Sequence, residues 1–72
     1  MSLSNRDIAD LFERIANLLE IKGESVHRYL AYANAAESIR ELARDLRAIA
    51  AEGGLTDVPK IGKTLAAKIE EL

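Results

Sequence analysis

Residues 55–72, running Leu55-Thr56-Asp57-Val58-Pro59-Lys60-Ile61-Gly62 and then K-T-L-A-A-K-I-E-E-L to Leu72, decide how the rest of the chain is read. Pro59 fixes its own φ, lacks an N–H and pushes Val58 out of helical geometry, so any helix arriving from the N-terminal side stops there. Gly62 allows a close backbone approach at the point where a new helix exposes its free N–H groups. With donors pointing outward, the positive end of the helix dipole facing the same way and Lys63 adding charge, this is a geometry for holding a phosphate. Downstream, Ile61, Leu65, Ile69 and Leu72 recur at helical spacing and form a core-facing stripe. Lys68 flanks that stripe beside Leu65 and Leu72.

The stretch resembles the helix-hairpin-helix DNA-binding motif, whose hairpin reads apolar-Pro-Gly-apolar-Gly ahead of a helix. Here it reads V-P-K-I-G, with Lys60 in place of the first Gly. Taken alone the motif is moderately specific, because Pro and Gly between two helices also serve as plain punctuation.

Working outward, 72 residues make one small domain that buries roughly 60% of its unfolded surface. There is no Cys and only one His, which removes disulfides and thiolate metal sites and argues against an all-protein zinc site. A reducing setting is permitted. No apolar run approaches ~20 residues and no leader-like segment is visible, so a soluble protein is expected. The net charge of −2 counts against coating DNA through bulk charge. A nucleic-acid role therefore needs a local patch, and His27, Arg28, Lys60, Lys63 and Lys68 supply one if the second helix packs beside the last.

Met1 to Leu3 reads as a loose terminus. Ser4 with Asp7 three residues on is a capping-box pattern. Ile8, Leu11, Phe12, Ile15, Leu18 and Leu19 then follow helical spacing until Lys22-Gly23 ends the helix. Ser25 can cap a second helix whose inward side is marked by Val26, Leu30, Ala33 and Ala36 or Glu37. Arg28 and Tyr32 share a face of it, with His27 beside them. A third amphipathic run, 41–51, carries Leu42, Leu46, Ile49 and Ala50; the break before it, near Ser38 to Glu41, is inferred from length and compactness. Glu52-Gly53-Gly54 ends that run, and residues 55–57 form one short turn. The expectation is an all-α fold: a compact four-helix domain spanning 1–72, with helices near 5–21, 25–38, 41–51 and 62–72.

The whole of 5–72 resembles the N-terminal lyase domain of family X DNA polymerases (DNA polymerase beta-like), most closely the bacterial and archaeal type. Three pieces carry the resemblance: A-D-L-F-E-R-I-A-N-L-L-E-I-K-G-E, H-R-Y-L-A-Y-A-N-A-A and L-T-D-V-P-K-I-G-K-T-L-A-A-K-I. It implies a compact helical domain that binds the 5′-phosphate side of gapped or nicked DNA in base-excision and gap-filling repair. In the eukaryotic repair members the domain also removes 5′-deoxyribose phosphate by β-elimination, with no cofactor. By position, the Schiff-base lysine falls on Lys68, and the DNA contacts fall on His27, Arg28, Tyr32, Lys60, Gly62, Lys63 and Thr64. The carbonyls of Thr56, Val58 and Ile61 fall where the family holds a monovalent cation, K+ or Na+. The resemblance further implies a polymerase domain C-terminal to this one, and a cytoplasmic, nucleoid-associated location in a bacterium or archaeon. Two departures stand out: Lys60 replaces a hairpin Gly, and Thr64 sits where some members carry a basic residue. The alternative is a non-catalytic helix-hairpin-helix module that docks DNA or a protein.

Overall fold

The computed structural model describes residues 3–72; Met1 and Ser2, two of the three residues expected to form a loose terminus, lie outside them. Leu3 is not loose. It packs against the core from the position just before the helix cap, where an apolar residue fixes the angle at which the chain enters a helix.

Helix α1 spans Asn5–Ile21. The expected capping box is formed: the Ser4 hydroxyl accepts from the Asp7 N–H at 3.1 Å and the Asp7 carboxylate accepts from the Ser4 N–H at 3.1 Å. Helix α2 spans Val26–Arg40, with the Ser25 hydroxyl accepting from the Arg28 N–H at 3.4 Å. The two helices form an antiparallel pair in which Ile8, Ala9, Phe12 and Ala16 of α1 are buried, as are Ala35, Ala36 and Ile39 of α2. Arg40 donates to Asp10 at 2.7 Å and to Glu13 at 2.6 Å, tying the helices together at the surface. These bonds, Asp10 first and then Glu13, push the Arg40 pKa further above its ordinary value.

The inward side of α2 is the expected one at Ala36, which is buried, and differs at Val26 and Leu30. Val26 and Leu30 are 53% and 43% exposed, and the buried face is set by Ala35, Ala36 and Ile39. The physical reason is that apolar residues lie all around α2, so periodicity alone selects no face. Only its C-terminal half reaches the common core, and the small Ala35 and Ala36 let the helices approach there.

The third helix also differs. Helix α3 spans Leu46–Ala51 rather than 41–51, while α2 runs on to Arg40. Asp45 starts α3, its carboxylate accepting from the Arg47 N–H at 2.8 Å, an N-cap that the helical spacing of Leu42 and Leu46 concealed. Asn5 completes the junction. Its side-chain amide donates to the Arg44 carbonyl at 2.7 Å and its oxygen accepts from the Leu46 N–H at 2.7 Å, across about forty residues of sequence. A 3-10 turn at Leu55–Asp57 follows, then helix α4 at Lys63–Glu70.

The fold is therefore all-α, with four helices and no strand among the described residues. One core joins both halves of the chain: Phe12, Ile8, Ile39 and Leu46 are fully buried, and Val58, Ile61, Leu65, Ala66 and Ile69 pack into the same cluster. Leu72, expected on the buried stripe, lies past the end of α4 and is 41% exposed. A stripe read at helical spacing stops being a face where the helix stops.

Candidate functional site

The hairpin between α3 and α4 is built from a sequence of short bonds. The Val58 N–H donates to the Leu55 carbonyl at 3.1 Å, and the Ile61 N–H to the Val58 carbonyl at 3.1 Å. Val58 and Ile61 are 6% and 3% exposed, so the two apolar side chains pin the turn to the core while Pro59 and Lys60 stand outside it. Pro at the second position and a positive φ at the third is the pattern of a type II turn. Lys60 occupies that third position with φ 70°, and among the described residues it is the one non-glycine with positive φ. For an L-residue this conformation costs about 1–2 kcal/mol. The resemblance put Lys60 where a Gly is usual, and the backbone shows why Gly is usual there.

Gly62 is extended, with φ −92° and ψ −174°, and caps α4 without contributing a side chain. A Cβ built on it would meet nothing within 4 Å. Neither its conformation nor crowding by the protein requires glycine, so the space beside it is open to an incoming group. The first backbone bond of α4 runs from the Ala66 N–H to the Gly62 carbonyl at 2.9 Å. No side chain caps α4 and no acidic residue lies in its first turn, so its leading N–H groups face solvent. Lys63 and Thr64, the first two residues of the helix, are exposed.

Charge is distributed unevenly around this point. Arg28 pairs with Glu24, Arg40 with Asp10 and Glu13, Arg44 with Glu52, and Lys68 with Glu71. Among the described residues neither Lys60 nor Lys63 has a carboxylate within 4 Å. Two unpaired lysines thus flank an uncapped helix N-terminus, on a chain whose net charge is negative.

The other expected site residues are placed differently. His27 and Arg28 are exposed on the first turn of α2, and Arg28 donates to Glu24 at 3.0 Å along its own helix. Tyr32 is half-buried, its ring edge-on to Phe12 with centroids 5.2 Å apart. No hydrogen bond or ion pair among the described residues joins these three to the hairpin. The part of α2 packed against the common core begins at Tyr32, about 6 Å along the axis from Arg28, and its fully buried residues begin at Ala35. Lys68 has a side chain 54% exposed with Glu71 at 3.9 Å, so the apolar stripe beside it does not enclose its amine.

A cation at the hairpin would depend on the carbonyls of Thr56, Val58 and Ile61. That of Val58 already accepts from the Ile61 N–H and has one lone pair left. No group of three or more His, Asp or Glu among the described residues is arranged to hold a metal ion. The donor set is neutral oxygen, which fits a weakly held monovalent ion better than a divalent one.

A family model described as a helix-hairpin-helix domain matches residues 3–72. No curated protein and no solved structure matches the chain.

Proposed function

Because this chain belongs to the helix-hairpin-helix domain family, whose members generally bind DNA, we propose that it docks on the 5′-phosphate side of gapped or nicked DNA. The observation that carries this reading is the uncapped start of α4, presented by a turn pinned at Val58 and Ile61 and flanked by unpaired Lys60 and Lys63. Backbone donors and a helix dipole hold one phosphate there, and Lys63 neutralises it. Thr64 adds a hydroxyl donor, and the open space at Gly62 admits the sugar–phosphate chain. Arg28, His27 and Tyr32, on a separate helix, serve a second point of contact along the same DNA. A K+ or Na+ on the hairpin carbonyls would add positive charge facing the phosphate. The setting proposed is gap-filling repair as the N-terminal part of a family X polymerase in a bacterial or archaeal cytoplasm, on the nucleoid.

Fluorescence anisotropy with three DNAs tests this: a gap with a 5′ phosphate, the same gap with a 5′ hydroxyl, and intact duplex. The phosphorylated gap should bind tightest. Lys63→Ala should weaken that complex by about 1–3 kcal/mol, as expected for a charge-assisted contact, and leave the 5′-hydroxyl complex nearly unchanged, whereas Arg28→Ala should weaken both gapped complexes alike. Equal affinity of wild type for all three DNAs would refute the preference. Equal losses on both gaps in Lys63→Ala would remove Lys63 from the terminal phosphate.

A second reading adds 5′-deoxyribose phosphate lyase chemistry at Lys68. The observation in its favour is an accessible amine on α4, about 9 Å along the axis from the phosphate-holding Gly62. The amine adds to the C1′ aldehyde of the opened sugar and water leaves, giving an imine. Loss of the C2′ proton then expels the 3′-phosphate side, and hydrolysis returns the lysine. Against it stands the surface setting of Lys68 beside Glu71. Borohydride trapping separates the readings: an adduct in wild type that is lost in Lys68→Ala establishes the lyase, and no adduct in wild type leaves docking alone.

A further inference from the structure

Helix α1 carries a second apolar line besides the one it buries. Leu11, Ile15 and Leu18 follow one another at spacings of four and three, which sets them along one side of the helix. That side is turned away from the one that takes Ile8, Phe12 and Ala16 into the core. Leu18 is 56% exposed, Ile15 is half-buried at the edge of the core, and Leu11, also half-buried, is not among the side chains packed on it. With Arg14 and Asn17 these three line one shallow groove of about 400 Å³.

The charges at the two ends of the line point to its occupant. Asp7 lies four residues before Leu11, and Lys22 lies four residues after Leu18. Both are exposed. The line is therefore symmetric in shape and opposite in sign at its ends. A second α1 laid antiparallel along it sets Leu11 against Leu18 of the copy and Asp7 against Lys22 of the copy. Laid parallel, it would set Asp7 on Asp7 and Lys22 on Lys22, like charge on like. The antiparallel arrangement also opposes the two helix dipoles. We infer that α1 pairs with α1 of a second copy of this chain, antiparallel about a twofold axis between residues 14 and 15. Such an interface is isologous, each contact occurring twice. One helix from each copy makes a small interface, so the association is weak and depends on concentration. The two copies of Arg14 meet near the axis, and their repulsion limits the affinity further. None of the residues assigned to the DNA contact lies on α1, so the pairing uses a surface of its own.

Sedimentation equilibrium of the whole chain from about 10 µM to 1 mM tests the pairing. The apparent mass should climb from the 7.9 kDa of one chain toward twice that value. Leu18→Glu should stay monomeric throughout and melt within a few degrees of wild type, because Leu18 is largely exposed. Arg14→Gln should dimerise several-fold more tightly, through loss of the like charge at the axis. The chain has no Cys, so introduced cysteines report the orientation. A short bis-maleimide should join two copies of Arg14→Cys and should not join two copies of Lys22→Cys, whose positions lie about 22 Å apart along the antiparallel pair. A monomer mass at every concentration would overturn the inference. So would a Leu18→Glu chain that dimerises as well as wild type, which places the contact elsewhere. Crosslinking of Lys22→Cys as readily as of Arg14→Cys would overturn it too, by making the pair parallel.

Discussion

Phe12→Ala should leave much of the protein unfolded at 25 °C. Phe12 is 1% exposed and the largest of the fully buried side chains, and Tyr32 packs edge-on against it. Deleting a buried phenyl ring typically costs about 3–5 kcal/mol, from lost transfer free energy and the cavity left behind. A chain of 72 residues has a total stability on the order of 4–11 kcal/mol at the usual per-residue range, and small domains fall toward the low end. The loss is then comparable to the whole. Thermal melting followed by circular dichroism should show the transition lowered by roughly 20 °C or more, or no cooperative transition at all. A drop under about 5 °C would show that α1 and α2 close over the gap, which their short Ala35 and Ala36 side chains make the main competing outcome. Any DNA affinity should disappear with the fold, because α2 carries Arg28 and the same core pins Val58 and Ile61.

Lys63→Glu should have the larger effect on binding, and without harming the fold. Lys63 is the first residue of α4, where a cation opposes the helix dipole and an anion complements it by about 0.3–1 kcal/mol. The substitution therefore leaves α4 as stable as before or slightly more so. Toward DNA it acts the other way. It removes a charge-assisted contact worth about 1.5–3 kcal/mol and places a carboxylate where the phosphate would sit. A fall in affinity of at least tenfold to a hundredfold is expected by anisotropy at low salt, with the melting temperature unchanged or raised. Unchanged affinity would exclude the start of α4 as the anion site. A matching loss of stability would mean that Lys63 has a structural task its surroundings do not reveal.

The hairpin and the first helix are legible in the sequence because local rules decide both. Ser4 and Asp7 form their box within three residues, and Pro59 between two apolar anchors sets the turn whatever the rest of the chain does. The start of α3 is hidden in the sequence, because the apolar spacing of Leu42 and Leu46 runs through Asp45, a cap whose bond spans only two residues. The face of α2 is legible only at Ala36, because a helix with apolar residues on all sides takes its orientation from tertiary packing, and Val26 and Leu30 lie beyond the common core. Lys60 was legible as a departure from the motif, but not its left-handed backbone. Lys68 lay beside the stripe as read, yet a stripe two residues wide at the end of a short helix does not cover a lysine amine. The role of Asn5 had no local signal, since both its partners lie about forty residues away.

That Asn5 bridge bears on the order in which the protein assembles. The amide of Leu46 opens α3, and its hydrogen-bond acceptor belongs to the first residue of α1. A six-residue helix is far below the length that persists alone in water. It therefore gains its structure only once the opposite end of the chain has come home. The half of the molecule that presents the hairpin cannot mature ahead of α1, and loop closure over some forty residues becomes part of the folding barrier. The same linkage works in reverse on the folded protein. Fraying at Asn5 releases the head of α3, so exchange of the Leu46 amide proton with solvent reports that local opening at the start of α1.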